Sequence, residues 1–345
     1  MTIYYLIISL LIISLLSKPG SKQRNYLFIL YGVIVFFVVA TRDISVGNDT
    51  EGYVKLGLGD LLYSDVKGGI EFLWSLFIGF FGKSSLDAHF FIFFTAVLEF
   101  VFLFIFIYKE SSNKILSLLV FVVIVTGLCS YMTAIRQAIS VGAVLLAYYC
   151  IKEKKYIPSI LLFLYAIGFH ATAVIGILFI PFAFLNYSKT IATTILCTSA
   201  ALGFILRQDI FSAYSDISQF LTFLQMYEGY GDEVIQAPNM FGLMAIILPS
   251  TIIAFFAIKL YCEHIYTKLF VVGVVLVNLF ASTPFIERYF MYVTMLQLVL
   301  IPAIYKKGDR TDKLCIIGSV MMLIVYFFKS VPYATGTDNY ISILF

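Results

Sequence analysis

Arg136 and His170 each stand against a long apolar segment, and the basic knot Lys152-Glu153-Lys154-Lys155 lies between the two segments. A guanidinium binds phosphate oxygens bidentately and keeps its charge at any working pH. An imidazole takes or gives a proton near neutrality. If both segments cross a membrane, the knot falls on one side and Arg136 and His170 fall together on the other. Gln137 adds an amide beside Arg136. Three further arginines, Arg42, Arg207 and Arg288, also stand at ends of apolar runs. An arginine near the membrane core is costly, so such a residue is read first as functional. Four of them around one outer cavity suit a pyrophosphate at headgroup depth. Snorkelling, or pairing of Arg42 with Asp43 and Arg288 with Glu287, is the structural alternative.

The elements that must hold these residues follow from composition. The chain has 345 residues, 61% hydrophobic and 12% charged, with mean hydropathy +0.98. Soluble domains carry roughly 25% charged residues. The chain therefore reads as an all-α polytopic membrane protein, a single domain over residues 1–345. Continuous rather than alternating apolar runs argue against a β-barrel. A net charge of +3 is too small to suggest a nucleic-acid partner. Cys129, Cys150, Cys197, Cys262 and Cys315 are scattered without metal-ligand spacing and read as packing residues. The N-terminus lacks a basic region and a small-residue cleavage site, so it reads as the first span.

The apolar runs are Ile3–Leu16, Tyr26–Ala40, Ile70–Phe81, Phe90–Tyr108, Ile115–Cys129, Ile135–Ile151, Ile157–Phe169, Ala171–Leu185, Ile191–Leu206, Met240–Ile258, Leu269–Ser282, Tyr289–Tyr305 and Leu314–Phe328. The positive-inside rule places the basic turn Lys18, Lys22 and Arg24 in the cytoplasm and the acidic stretch after Ala40 outside. Charge also decides two ambiguous runs. As one helix, Ile157–Leu185 would be about 43 Å long, too long for one span. Two short spans turning at Phe169-His170 put Lys189, Lys259, Lys268, Lys306, Lys307, Arg310 and Lys313 on the side of Lys152–Lys155. Ile70–Phe81, at about 12 residues where a span needs about 20, reads as re-entrant or interfacial. About twelve spans result, several shorter than usual, with outer loops at 41–88 and 207–238.

Other polar groups are less eloquent. Glu99 lies mid-span and reads as an interhelical hydrogen-bonding group, with a proton path as the alternative. His89 and His264 read as boundary residues. The segment Arg207–Pro238 carries tyrosines and carboxylates that suit sugar faces and hydroxyls. Ile217, Phe220, Leu221 and Leu224 give it helical spacing, expected to form a helix on the membrane or capping the bundle. The sequence shows no Gly-rich phosphate loop, no His/Cys metal cluster and no Ser-His-Asp arrangement.

Short motifs, in order, carry a resemblance. Thr41-Arg42 with Gly47-Asn48-Asp49-Thr50 and Tyr53 resembles the first outer loop of the EpsG-type/O-antigen polymerase (Wzy-like) family, with Asn48 departing from its Gly-Thr-Asp. Gly69-Ile70-Glu71-Phe72-Leu73-Trp74, Ile135-Arg136-Gln137, Phe169-His170, Glu287-Arg288-Tyr289 and Pro332-Tyr333 resemble its later landmarks. Some such polymerases place a glycine eleven residues after an outer-loop arginine; here Arg207 is followed at that point by Ser218. The resemblance implies a glycosyltransferase of the bacterial inner membrane. It would move a growing glycan from undecaprenyl pyrophosphate onto a new lipid-linked repeat unit at the outer, periplasmic face. It implies no cofactor and no metal, and a chain-length regulator as protein partner.

Residues and resemblance together give Arg136, Arg288, His170, Asp49 and Glu71 as candidate catalytic groups. Arg42, Arg207, Gln137, Tyr53 and Tyr289 are candidate substrate-binding groups. The base stays open among His170, Asp43, Asp49 and Glu71. A lipid-linked oligosaccharide flippase, another membrane glycosyltransferase and a ligase onto lipid A are the alternatives. A flippase would want a cavity open to both sides and repeat symmetry, and no repeat is visible.

Overall fold

The computed structural model describes residues 1–58, 71–82, 87–213, 239–283 and 286–343. Among them the regular elements are helices, with one isolated antiparallel bridge between Arg42 and Ser342. α1 spans Thr2–Leu16, α2 Ser21–Ala40, α3 Thr50–Leu58 and α4 Phe72–Phe81. α5 (Ala88–Glu110) begins where the Asp87 carboxylate accepts from the His89 and Phe90 amides. Asn113 likewise starts α6 (Lys114–Val123) by accepting from the Leu116 amide. Such caps satisfy donors that a helix start leaves open. α7 is Leu128–Thr133, α8 Ile135–Lys152 and α9 Tyr156–Phe169, followed by a 3₁₀ turn at Ala171–Ala173. α10 (Val174–Leu178), α11 (Ile180–Ala183) and α12 (Lys189–Ile205) come next, then α13 over Arg207–Ala213. α14 (Met240–Tyr261), α15 (Ile265–Phe280), α16 (Ile286–Thr294), α17 (Gln297–Lys307), α18 (Arg310–Lys329) and α19 (Val331–Ala334) complete the chain.

Five helices, α2, α5, α8, α14 and α18, are long and apolar enough to cross a membrane. The bent pairs α12–α13 (74°) and α16–α17 (52°) raise the number to seven if each pair is one span. α1, α4, α6, α9, α15 and the segment 171–183 are apolar but shorter. The protein is a multi-pass helical membrane protein. Two runs expected as single spans are interrupted. Ile115–Cys129 breaks after Val123, where the Gly127 amide bonds the Ile124 carbonyl. A Cβ on Gly127 would meet the Phe121 carbonyl oxygen at 1.8 Å, so only glycine allows that turn. Tyr289–Tyr305 bends between α16 and α17. The helix expected over Ile217–Met226 and the segment before Glu71 lie outside the described residues. α4 itself is ten residues, about 15 Å, too short to cross.

α8 is the axis of the bundle. It is buried along almost its whole length, as an all-round apolar helix must be. Gly142 brings it against α5: a Cβ there would stand 3.1 Å from the Leu103 amide nitrogen. Small residues at crossings permit this approach in membranes. α9 returns antiparallel to α8, fixed by Ser140 Oγ donating to the Ala166 carbonyl (2.8 Å) and Ser159 Oγ to the Ala147 carbonyl (3.1 Å). His170 is extended (φ −156°, ψ 116°) and ends α9. The chain then runs back along α8, and Tyr148 hydroxyl donates to the Gly176 carbonyl at 2.8 Å. The turn at Phe169-His170 is therefore a reversal, as the charge pattern required.

The basic loops gather at the far end. Lys152 pairs with Glu110 (2.6 Å) and lies over the Tyr266 ring at 5.7 Å. Lys259 pairs with Asp312 (2.5 Å) and Asp309 (3.4 Å). Lys189 donates to the Lys259 carbonyl and Lys307 to the Leu260 carbonyl. Arg136 and Lys152 thus mark opposite ends of α8, about 24 Å apart at 1.5 Å per residue.

Candidate functional site

Glu71, the residue before α4, is the centre of a polar cluster at the Arg136 end. Its Oε2 accepts from Arg136 Nη1 at 2.6 Å. Its Oε1 lies 3.2 Å from His170 Nδ1 and accepts from the Ala171 amide at 3.0 Å. Helix α4 is held there by packing: Leu73 sits so close over Gly168 that a Cβ would approach it to 2.6 Å. Trp74, fully buried, meets Phe169 and Phe91 edge-on. Burial opposes ionisation of Glu71. The His170 hydrogen bond, the Arg136 charge and the Ala171 amide outweigh it and hold the carboxyl at about 2. Glu71 is therefore a permanent anion that orients Arg136 and His170, and a poor proton acceptor.

Arg136 remains partly exposed. Its side chain is 23% exposed and that of Glu71 16%. Its Nε is buried with no hydrogen-bond partner among the described residues. The guanidinium lies 5.6 Å from the centroid of the Tyr53 ring, a cation–π contact, and Tyr53 is edge-on to Trp74. The second arginine is one side chain away. Arg288 Nη1 lies 4.0 Å from Asp49 Oδ2, and both arginine charges bear on Asp49. Burial raises the Asp49 carboxyl above its ordinary value, and Arg288 and Arg136 only partly offset this. The cluster holds two cations, two carboxylates and an imidazole in one partly open cleft.

The first loop places Asp49 and Tyr53 by backbone bonding. Gly47 has φ +94°, and a Cβ on it would meet the Met132 carbonyl oxygen at 2.4 Å. Its amide donates to the Gly336 carbonyl and the Asn48 amide to the Thr335 carbonyl. Thr50 Oγ1 donates to the Met132 carbonyl (2.9 Å) and Thr133 Oγ1 to the Thr335 carbonyl (2.9 Å). Loop, α7–α8 junction and C-terminal segment are one clamp. Gly47→Ala is expected to cost about 1–3 kcal/mol locally, release Asp49, and lower the melting temperature of the purified protein along with its activity. An unchanged melting curve and full activity would show that the clamp does not position the site.

A model of the EpsG family matches residues 25–343. The chain belongs to the EpsG family. This is a family of polysaccharide-polymerase-like membrane proteins, and the match takes in the clamp, the Glu71 cluster and the basic end. No curated protein matches the chain, and no solved structure does.

The EpsG-family fold brings Arg136, His170, Glu71, Asp49, Arg288 and Tyr53 together, and it separates other expected residues from them. Arg42 is a correction. It has no exposed surface, and its Nη1 donates to the Val39 carbonyl at 2.6 Å. A guanidinium that water cannot reach is not a substrate ligand in this conformation. Nor does Asp43 pair with it: Asp43 accepts from the Ser45 hydroxyl and amide, which hold its carboxyl below the ordinary value. The opposite charge bearing on Arg42 is the buried Glu99. Gln137 is also reassigned. It is buried and donates through Nε2 to the Arg288 carbonyl at 2.6 Å, so it ties α8 to α16 rather than reaching substrate. Arg207 opens α13 and, among the described residues, lies against Met240 Sδ. Tyr289 is exposed beside Arg288.

Residues not singled out as site groups complete the EpsG-family site. Thr172 Oγ1 and Tyr292 hydroxyl are 2.8 Å apart and join the 3₁₀ turn after His170 to α16. Thr50, Thr133 and Thr335 close the clamp. Thr50 sits within a motif already noted and Thr172 two residues after another, but a threonine carries no signal of its bonding partner.

Proposed function

We propose that this EpsG-family protein is a metal-independent glycan polymerase of the bacterial inner membrane. It joins repeat units carried on undecaprenyl pyrophosphate, at the outer face. The observation that carries this reading is the cleft of Arg136, Arg288, Asp49 and Glu71-bound His170, at the end of α8 opposite the basic loops. The positive-inside rule assigns the basic end to the cytoplasm and the cleft to the outside.

The chemistry needs little else. A hydroxyl oxygen of the incoming unit attacks the anomeric carbon of the growing chain. The bond from that carbon to the pyrophosphate oxygen breaks, and the lipid pyrophosphate leaves with the electron pair. Arg136 and Arg288, already fixed, stabilise that charge without reorganising. The hydroxyl proton passes to Asp49, whose burial makes it the stronger base of the two carboxylates in the cleft. His170, held through Nδ1 by Glu71, positions or shares that proton. Tyr53, held against Arg136 and Trp74, and exposed Tyr289 offer ring faces to sugars. The expected protein partner is a chain-length regulator.

A strain lacking the protein tests the reading. Its surface glycan should show a single repeat unit in place of a ladder on electrophoresis, and the intact gene should restore the ladder. Carrier lipid with no repeat transferred would point to a ligase. A repeat unit trapped inside the cell would point to a flippase. Either result would overturn the proposal.

A further inference from the structure

The lipid-facing side of the basic end carries a second feature, remote from the Arg136 cleft. A groove of about 530 Å³ opens between α2 and α5, lined by Phe28, Ile29, Gly32, Val33, Phe104, Ile105, Tyr108 and Lys109. This volume falls in the range of small-molecule sites, about 300–1,000 Å³. Gly32 forms its floor, where a Cβ would stand 3.5 Å from Phe104, an ordinary contact, while a larger side chain would fill the space. The lining is apolar except at one end, where Tyr108 and Lys109 stand.

Lys114 and Arg24 stand at that end, and Lys109, whose ammonium rests over the Tyr149 ring at 5.5 Å, borders it. Lys114 Nζ lies 4.8 Å from the Tyr108 ring centroid and donates to Asn25 Oδ1 at 3.0 Å. Arg24, exposed and next to Asn25, repels Lys114. The neighbouring carboxylate, Glu110, is already taken by Lys152 at 2.6 Å. The folded chain thus brings like charges together at the mouth of an alkyl-lined trough. An anion at the mouth of the trough would relieve the repulsion between Arg24 and Lys114.

We propose that this groove is a binding site for an anionic phospholipid, with an acyl chain along Ile29, Gly32, Val33 and Phe104 and the headgroup phosphate on Lys109, Lys114 and Arg24. A lipid phosphate matches the cations as point charges and, at Arg24, as a fork. The inference stands independently of the polymerase reading, since the site lies at the opposite end of the bundle from the cleft.

The test uses the full-length protein in nanodiscs. Wild type would be reconstituted in mixtures of phosphatidylglycerol and phosphatidylcholine and its co-purifying lipid measured by native mass spectrometry. Wild type should retain phosphatidylglycerol preferentially. Each charge near an anionic lipid surface contributes about fivefold, so the Arg24→Gln, Lys109→Gln, Lys114→Gln triple variant should lose that preference. Arg24 and Lys109 are exposed, and the Lys114 bond to Asn25 lies at the surface. Gly32→Leu should reduce bound lipid of both kinds by occluding the trough. Equal retention of the two lipids by wild type, an undiminished preference in the triple variant, or undiminished lipid on Gly32→Leu would each overturn the proposal.

Discussion

Arg136→Ala is expected to collapse the glycan ladder to single repeat units, with polymer reduced at least about a hundredfold, while the protein still accumulates in the membrane. Removing one preorganised donor from a site of developing negative charge costs about 10²–10³ in rate. Arg136 is more than one donor. Its Nη1 holds Glu71 and its guanidinium lies over the Tyr53 ring, so its loss also loosens the carboxylate that holds His170. Arg136→Lys should recover little. An ammonium is a single charge that cannot hold Glu71 and a phosphate oxygen in one planar fork. The comparison separates charge from geometry: near-complete rescue by lysine would mean that Arg136 supplies only a positive potential. A wild-type ladder from the alanine variant, at equal protein level, would remove Arg136 from the mechanism.

The pairing of Arg136 with His170 was legible because it needs only parity. Two antiparallel segments joined by a basic loop must return their far ends to one place, and charge bias settled that the chain turns at His170 rather than running on. The gathering of Lys152, Lys189, Lys259 and Lys307 at one end follows from the same bias. What joins the two residues was not legible. Glu71 precedes a helix too short to cross and comes sixty-odd positions before Arg136, and nothing in a sequence fixes how such a helix docks. That docking depends on shape, in Leu73 over Gly168 and Trp74 among Phe91 and Phe169.

Arg42 shows why an arginine at a helix end is ambiguous. Its position after α2 suggested an outward guanidinium, but a long flexible side chain can fold back along its own helix, and this one reaches the Val39 carbonyl. Whether it snorkels out or dives in is decided by the partners it finds, here the Val39 carbonyl with Glu99 nearby in the core. Gln137 fails in the same way. An amide beside an arginine reads as a ligand, yet this one donates its hydrogen bond to a backbone carbonyl on α16. Helix interruptions were invisible for a different reason. Hydropathy averages over a run, and the break at Gly127 comes from one steric demand inside an apolar stretch.

The role assigned to Glu71 makes the second large prediction. Glu71→Gln keeps the shape of the side chain and removes its charge, and polymer is expected to fall by at least tenfold. The amide cannot hold both Arg136 and His170 as an anion does. The effect should run through Arg136. In a double-mutant cycle, Glu71→Gln added to Arg136→Ala should cost much less than it does alone, since residues in one network are not additive. Full additivity would detach Glu71 from Arg136.

The pH profile distinguishes this positioning role from general-base catalysis. The Glu71 carboxyl is held at about 2, below its ordinary value. A depressed acid stabilises the folded site above its unfolded pKa and loses that contribution only as pH falls through the folded value. The Glu71 anchor should therefore be fully present from about pH 5 upward and fade toward pH 2. Any acid limb of activity seen between pH 5 and 7 belongs to another group, and Glu71→Gln should lower the whole profile without moving that limb. If the substitution instead erases the limb, Glu71 is the proton acceptor, and Asp49 is left to orient Arg288.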